Sequence, residues 1–412
     1  MRQQYRFFAL VAASSALTLI KLAILAAVLP AEDFALYSAV FSLVGVGASL
    51  LSFGKTEGMV KRFTRLAALG RSQELRQSLG TDARIIFRRH AVALLPVVAV
   101  TYLLYGSSMA LPAGAAVVLA LAANGFAIVA ALYRAYDRLL ALGIASLGRT
   151  IAAVIFVVGA SMLAGWEAGL AAEAAVSATL AVTLLLHLRY TIRANAARAT
   201  ELVADLSPVS GKSDGLWLFA AFTVALVPIS FDRLWLVHFA EEDAARYAFC
   251  GIWALAAYSV SSVYVQKLGP ELIRMSAKGQ SIVDKAARRA CLLSTLLAIG
   301  TLLSLGSLSV LWPDAYWTKY SLTTEVVIVA ALMVSVQVSP IFDWCLIALD
   351  GERIAFAGAL AFALVCLLLF SMCAVLGLGS NGYMLSMAAG RLAQVALTGT
   401  MASKLDRKSG TT

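Results

Sequence analysis

Seven ionisable side chains stand inside long apolar runs, and their types and positions could do chemistry. They are Arg149 in ASLGRTIAAV, Arg391 in MAAGRLAQV, Lys21 in LTLIKLAIL, the adjacent Asp232 and Arg233 in VPISFDRLWL, Glu173 in GLAAEAAVS and Asp343 in SPIFDWC. A lone charge in hydrocarbon costs tens of kcal/mol by Born arguments, so an intramembrane ionisable residue points to a partner or a function. Arg149, Arg391, Lys21 and Arg233 are candidate contacts for an anionic ligand. A guanidinium binds phosphate bidentately, and small residues beside Arg149 and Arg391 leave room for a ligand or a second helix. A purely structural arginine, tied to a carbonyl or carboxylate, is the competing reading. Lys21 either snorkels to the outer surface or lines a cavity. Asp232 and Arg233 are neighbours and cannot share one helix face, so a gate or an interfacial pairing competes with ligand contact. Glu173 and Asp343 suit proton coupling if left alone, and fixed ion pairs if set against Arg149 or Arg391. Pro228 and Pro340 interrupt apolar runs and are expected to bend their helices.

The elements that position these residues must be membrane-spanning. Hydrophobic residues make up 61% of the chain and charged residues 14%, against about 45–50% hydrophobic in ordinary soluble domains. A spanning helix needs about 20 apolar residues with every backbone polar group paired internally. Twelve runs qualify. In the first half they are 7–29, 36–53, 91–105, 110–132, 139–163 and 168–188. In the second half they are 215–237, 248–265, 290–312, 323–346, 354–376 and 383–402. The apolar stretch after Arg2 and Arg6 is about twice the length of a signal-peptide core and lacks a clear cleavage site, so it reads as a retained first span. Arg149 falls about ten residues into its run, roughly 15 Å along the helix. Arg391 sits at a similar depth from the opposite end of the last run.

Lysine and arginine set the orientation. The stretch after the second span carries Lys55, Lys61, Arg62, Arg65, Arg71, Arg76, Arg84, Arg88 and Arg89, and the turns after spans 4, 6, 8 and 10 are basic as well. The turns after spans 1, 3, 5 and 11 hold no Lys or Arg. Cations collect on the cytoplasmic side, so both termini are expected there. The same bias accounts for the formal net charge of +10. The cations track alternate loops instead of forming one patch with interleaved aromatics, so nucleic acid is not an expected partner. The basic segment Lys61–Arg89 reads as a surface helix on anionic headgroups, with collection of a lipid-borne substrate as the alternative. No loop is long enough for a catalytic domain. The five cysteines lie in apolar runs without CxxC spacing, and the three histidines are scattered. No metal or cofactor is expected.

One phrase occurs twice. AEDFALY at Ala31–Tyr37 and EEDAARY at Glu241–Tyr247 lie about half the chain apart, each between two apolar runs. YDRLLALGIAS around Arg138 and GERIAFAGALA around Arg353 repeat at nearly the same offset. Two six-helix halves in the same orientation follow, with residues 1–200 as one bundle, 201–214 as a cytoplasmic linker and 215–412 as the other. Parallel repeats commonly place a substrate site at their mutual interface.

At these residues the chain resembles the bacterial polysaccharide flippases of the multidrug/oligosaccharidyl-lipid/polysaccharide exporter superfamily. LPAEDFALYSAVFSLVGVGASLLSFGKTEGMVKRF and SFDRLWLVHFAEEDAARYAFCGIWALAAYSVSSVYVQKLGPELIRM carry the resemblance, with LWPDAYWTKYSL and LIALDGERIAFAGALAFALV. It covers essentially the whole chain, and each motif is degenerate. It implies an all-α integral membrane protein with twelve transmembrane helices, as two six-helix bundles in a V that opens alternately to the two faces. It also implies transport of an undecaprenyl-diphosphate-linked oligosaccharide, such as an O-antigen or exopolysaccharide unit, from the inner to the outer leaflet of the bacterial cytoplasmic membrane. The chain is short for the group and lacks the extra helix pair of the lipid II flippases, which argues against a peptidoglycan precursor.

On this reading the partners are the lipid-linked oligosaccharide, membrane lipids, and a polysaccharide polymerase with chain-length proteins. Coupling to protons, sodium or the membrane potential stays open. A cation-coupled drug or metabolite exporter of the same superfamily is the nearest alternative. A polymerase or glycosyltransferase is further off, because no outward loop is long and the only dense outward acids, in AEDF and EEDAAR, are better explained as turns of the repeat. The expectation is a transporter and not an enzyme.

Overall fold

The computed structural model describes residues 2–53, 55–68, 71–136, 138–196, 216–276, 280–349 and 351–409. Among them there is no strand. The helices are α1 (Arg2–Val28), α2 (Ala31–Ser52), α3 (Lys55–Ala68), α4 (Ser72–Tyr105), α5 (Ala110–Ala135), α6 (Leu139–Ala196), α7 (Leu216–Phe239), α8 (Glu241–Ser276), α9 (Val283–Leu311), α10 (Thr324–Ser335), α11 (Ser339–Ala348), α12 (Glu352–Leu376) and α13 (Ser380–Ser409). Nine of the described helices are long and apolar enough to cross a membrane. The chain is a multi-pass membrane protein, since only lipid can face so many apolar helices.

Several boundaries differ from those expected, each for a local reason. The expected surface helix and third span form one helix, α4, of 34 residues. No proline interrupts it before Pro96, so the helix runs on from the basic segment into the apolar one. The fifth and sixth spans are joined without a loop. Ala164 and Gly165 leave helical geometry inside α6, Gly165 at φ 81°. Glycine alone enters that region freely. A Cβ at Gly169 would meet Ser161 Oγ at 2.0 Å, so the chain folds back on itself there. The expected tenth span is two helices: Val336–Val338 leave the helix between α10 and α11, and Pro340 follows in the first turn of α11. By contrast, α7 continues through Pro228.

The chain forms two compact units, Met1–Leu17 with Leu43–Phe219, and Thr18–Ser42 with Ala220–Thr412. Against the expected 1–200 and 215–412, the end of α1 and the start of α2 lie in the second unit, and the first unit extends to Phe219. The expected linker 201–214 lies outside the described residues.

In the first unit, α3 turns Met59, Phe63 and Leu66 into a core with Leu75 and Leu79 of α4 and Leu132 and Tyr133 of α5. The basic segment is thus part of the packed fold. Lys55 Nζ lies 2.9 Å from Asp82 Oδ1, and Arg62 pairs with the other carboxylate oxygen. In the second unit, Leu268 and Leu272 of α8 pack with Ala286 of α9, Ile341 and Phe342 of α11 and Ala402 of α13. Asp406 of α13 closes this end by accepting from the backbone N–H groups of Ile282 and Val283 at 3.1 and 3.2 Å. A carboxylate there satisfies orphan donors at the start of α9 and complements its dipole.

Candidate functional site

Arg391 is the largest fully buried side chain among the described residues, 1% exposed. Its Nη1 donates to Gln394 Oε1 at 2.7 Å and to Ser339 Oγ at 3.2 Å. Its guanidinium lies 4.1 Å from the Phe362 ring centroid and 5.6 Å from that of Tyr258. Nε and Nη2 have no hydrogen-bond partner among the described residues. Gln394 also hydrogen-bonds Asp343, whose carboxylate interacts electrostatically with Arg391. One oxygen of Asp343 has no hydrogen-bond partner among the described residues.

The local sequence explains how this cluster forms. Arg391 and Gln394 stand at i,i+3 on one face of α13. The helix break at Val336–Val338 frees the first turn of α11 to offer Ser339. Gly390 allows α12 to approach, since a Cβ there would meet Cys366 Sγ at 2.4 Å. Small residues at such crossings let membrane helices pack backbone to backbone. Packing encloses Arg391 within its own unit, where it joins the start of α11 to α13.

A second cluster of the same unit holds Asp232 and Arg233. Asp232 is buried; it accepts from Tyr247 Oη at 2.7 Å and from the Arg233 backbone N–H at 2.7 Å. Arg233 points elsewhere, donating from Nη1 to the Ser38 carbonyl at 3.2 Å and lying over Gly251. The adjacent pair thus splits between two surroundings. Lys21, expected to snorkel or to line a cavity, is packed inside the second unit. It is 2% exposed, with its ammonium 4.9 Å from the Phe41 ring centroid.

The segment after α9 seals the end of α1. Lys319 Nζ donates to the carbonyls of Ala26 at 2.7 Å and Ala27 at 3.1 Å, and also to that of Leu29. Tyr320 Oη donates to Ala26 at 2.6 Å, and its ring stacks on Phe249 with centroids 4.6 Å apart. Orphan carbonyls and the negative end of the helix dipole favour a cation at this place. Lys319→Ala should lower stability by about 1–2 kcal/mol, measured as thermal unfolding of the purified protein in detergent. An unchanged midpoint would show that water replaces the ammonium at no loss.

The first unit carries Arg149 and Glu173 on the two limbs of α6. Arg149 is half-buried, its guanidinium 4.3 Å from the Phe126 ring centroid. Glu173 is buried and interacts electrostatically with it. Next to Arg149 the space is open, for a Cβ at Gly148 would find no atom within 4 Å. Thr150, on the other side, is buried and hydrogen-bonded to Ser14 at 2.7 Å. A further polar contact was not anticipated from the sequence: Asn124 Nδ2 donates to the Ala48 carbonyl at 2.8 Å and to His90 Nε2 at 3.3 Å. His90 Nδ1 is 2.8 Å from the Ile86 carbonyl, so the network favours the tautomer protonated at Nδ1.

No protein-family model matches the chain, and no curated protein matches it in sequence. Solved structures match its fold. An outward-facing multidrug-resistance MATE transporter of the MOP superfamily aligns with a TM-score of 0.61 at 13% identity, covering 98% of this chain and 96% of the other. The lipid II flippase MurJ in an inward closed conformation aligns at 0.59 and 12%, covering 98% and 89%. A MOP-superfamily transporter from Pyrococcus furiosus, described as having a binding pocket of reversed polarity that suggests a different function, aligns at 0.58 and 14%, covering 98% and 96%. The chain therefore has the fold of the MOP-superfamily transporters.

Proposed function

We propose that the chain is a flippase that carries an undecaprenyl-diphosphate-linked oligosaccharide across the bacterial cytoplasmic membrane by alternating access. Twelve spans, related as two parallel six-helix repeats with both termini in the cytoplasm, belong to the same reading, and a polymerase with chain-length proteins would take the product. Arg149 is the observation that carries it. A partly exposed arginine whose guanidinium is backed by an aromatic face, with open space at neighbouring Gly148, suits one phosphate of a diphosphate head. The head's desolvation is the barrier to crossing, and a fixed cation lowers it.

Against this, a cationic drug would need a carboxylate open to it. Asp232 is held by Tyr247 and Arg233, and Asp343 by Gln394. Those two acids and Glu173 serve coupling or gating in this proposal, with protons, sodium or the membrane potential as the driving force. Arg391 acts with Asp343. Lys21 and Arg233 hold the end of the second unit that Lys319 seals.

Full-length protein in proteoliposomes, supplied with a fluorescent polyprenyl-diphosphate oligosaccharide, tests the reading. Protein-dependent exchange of the label between leaflets, read with a membrane-impermeant quencher, is the expected result. No exchange of that lipid, together with ion-driven efflux of a cationic dye, would assign the chain to drug export instead.

A further inference from the structure

We infer that a groove on the first unit binds a single anionic glycerophospholipid. The groove has a volume of about 670 Å³ and lies where α2 ends against α4. Leu50, Leu51, Ile85, Val92, Ala93 and Pro96 line its apolar part, and Arg88 and Arg89 stand between Ile85 and Val92 along α4. It exists because α2 stops early. Phe53 leaves the helix at φ 50°, and the chain turns away into α3. Among the described residues, no helix then covers the exposed flank of α4 at Val92 and Leu95.

The two arginines are not equivalent. Arg89 is fixed: Nη1 donates to the Ser52 carbonyl at 3.2 Å, and the guanidinium lies 5.5 Å from the Phe53 ring centroid. Arg88 is exposed, and no ion pair among the described residues engages it. A preset guanidinium beside a free one suits a phosphate, which accepts from both. From Arg88 to Pro96 the helix advances about 12 Å, close to the ~15 Å depth of one leaflet's hydrocarbon. A phosphate at the arginines and an acyl chain along Val92 to Pro96 thus match a lipid of a single leaflet. A soluble anion would use the arginines and leave the apolar trough empty.

The second unit provides the contrast. Its α8 runs unbroken to Ser276, and α9 carries its own pair, Arg288 and Arg289. The pocket beside that pair, about 400 Å³, is lined by Ser281, Asp284 and Lys285 with no apolar side chain. Cations without a trough should hold a lipid only by diffuse attraction.

Native mass spectrometry of the detergent-purified full chain, titrated with phosphatidylglycerol or phosphatidylcholine, tests this site. The wild type should retain one phosphatidylglycerol in preference to phosphatidylcholine. Arg88→Ala should weaken retention about fivefold, the effect of one surface cation on an anionic lipid. Val92→Trp, which fills the trough and leaves both arginines, should weaken it comparably and guards against misfolding of the arginine variant. The double variant Arg288→Ala/Arg289→Ala should retain the lipid as the wild type does. Equal retention of the two lipids, an equal loss in that double variant, or no effect of Val92→Trp would each overturn the assignment. So would displacement by inorganic phosphate alone. Displacement by polyprenyl diphosphate at lower concentration would give the groove to the cargo, and that too would overturn it.

Discussion

Arg391→Ala should destabilise the second unit by about 3–5 kcal/mol, the usual consequence of removing one partner from a buried charged network. The guanidinium is the hub of that network. Through Gln394 it reaches Asp343, through Ser339 it holds the start of α11, and its face rests on Phe362. Removing it leaves a buried carboxylate without its counter-charge, and Asp343→Asn should in turn leave the guanidinium unbalanced. Replacing both ends with apolar residues of similar volume, Arg391→Met with Asp343→Leu, should recover much of the loss, because two well-packed apolar side chains need no compensation. A double-mutant cycle on purified protein, unfolded by heat or denaturant, measures the coupling. Strictly additive losses would mean that the two charges stabilise the unit separately. The same pair separates structure from coupling: a double variant that regains stability but no longer responds to an imposed ion gradient has lost a coupling element.

How far these residues were legible in the sequence depends on the kind of signal each one gives. Arg391, Asp343, Arg149 and Glu173 stood out because charge in an apolar run is anomalous under any arrangement of helices. Gln394 did not, being uncharged, although its i,i+3 spacing from Arg391 was available. The Asn124–His90 contact brings α4 and α5 together with α2, and a pairing between separate helices leaves no local trace. Helix positions followed from run length, because hydrocarbon admits few alternatives. Breaks followed less well. The departure at Val336–Val338 falls two residues before Pro340 and among the polar Ser335, Gln337 and Ser339, so it carried a mark in the sequence, whereas Pro228, marked in the same way, sits in a continuous helix. The end of α1 joins the second unit through backbone carbonyls accepting from Lys319 and Tyr320, and carbonyls have no sequence signature. The use of Lys319 as a helix cap needed the fold.

Arg149→Ala should leave membrane insertion intact while slowing transport of the diphosphate-linked cargo. Losing one charge-assisted partner of a desolvated phosphate is worth about 2–4 kcal/mol, or roughly 30- to 1000-fold in rate if the contact is made at the barrier. The structural loss is a cation–π contact of about 0.5–2 kcal/mol together with the pairing to buried Glu173. Arg149→Lys separates charge from geometry. It keeps the cation and loses the planar fork, so an intermediate rate is expected if the arginine grips phosphate bidentately. A lysine variant at full rate would reduce its role to a point charge. Glu173→Gln supplies the opposing control. Without the nearby carboxylate the guanidinium should bind the head more tightly, so cargo release should slow while half-saturation falls. Leaflet exchange in proteoliposomes gives all three rates on one scale. Wild-type exchange by Arg149→Ala would remove this residue from the transport path and, with it, the observation on which the flippase reading rests.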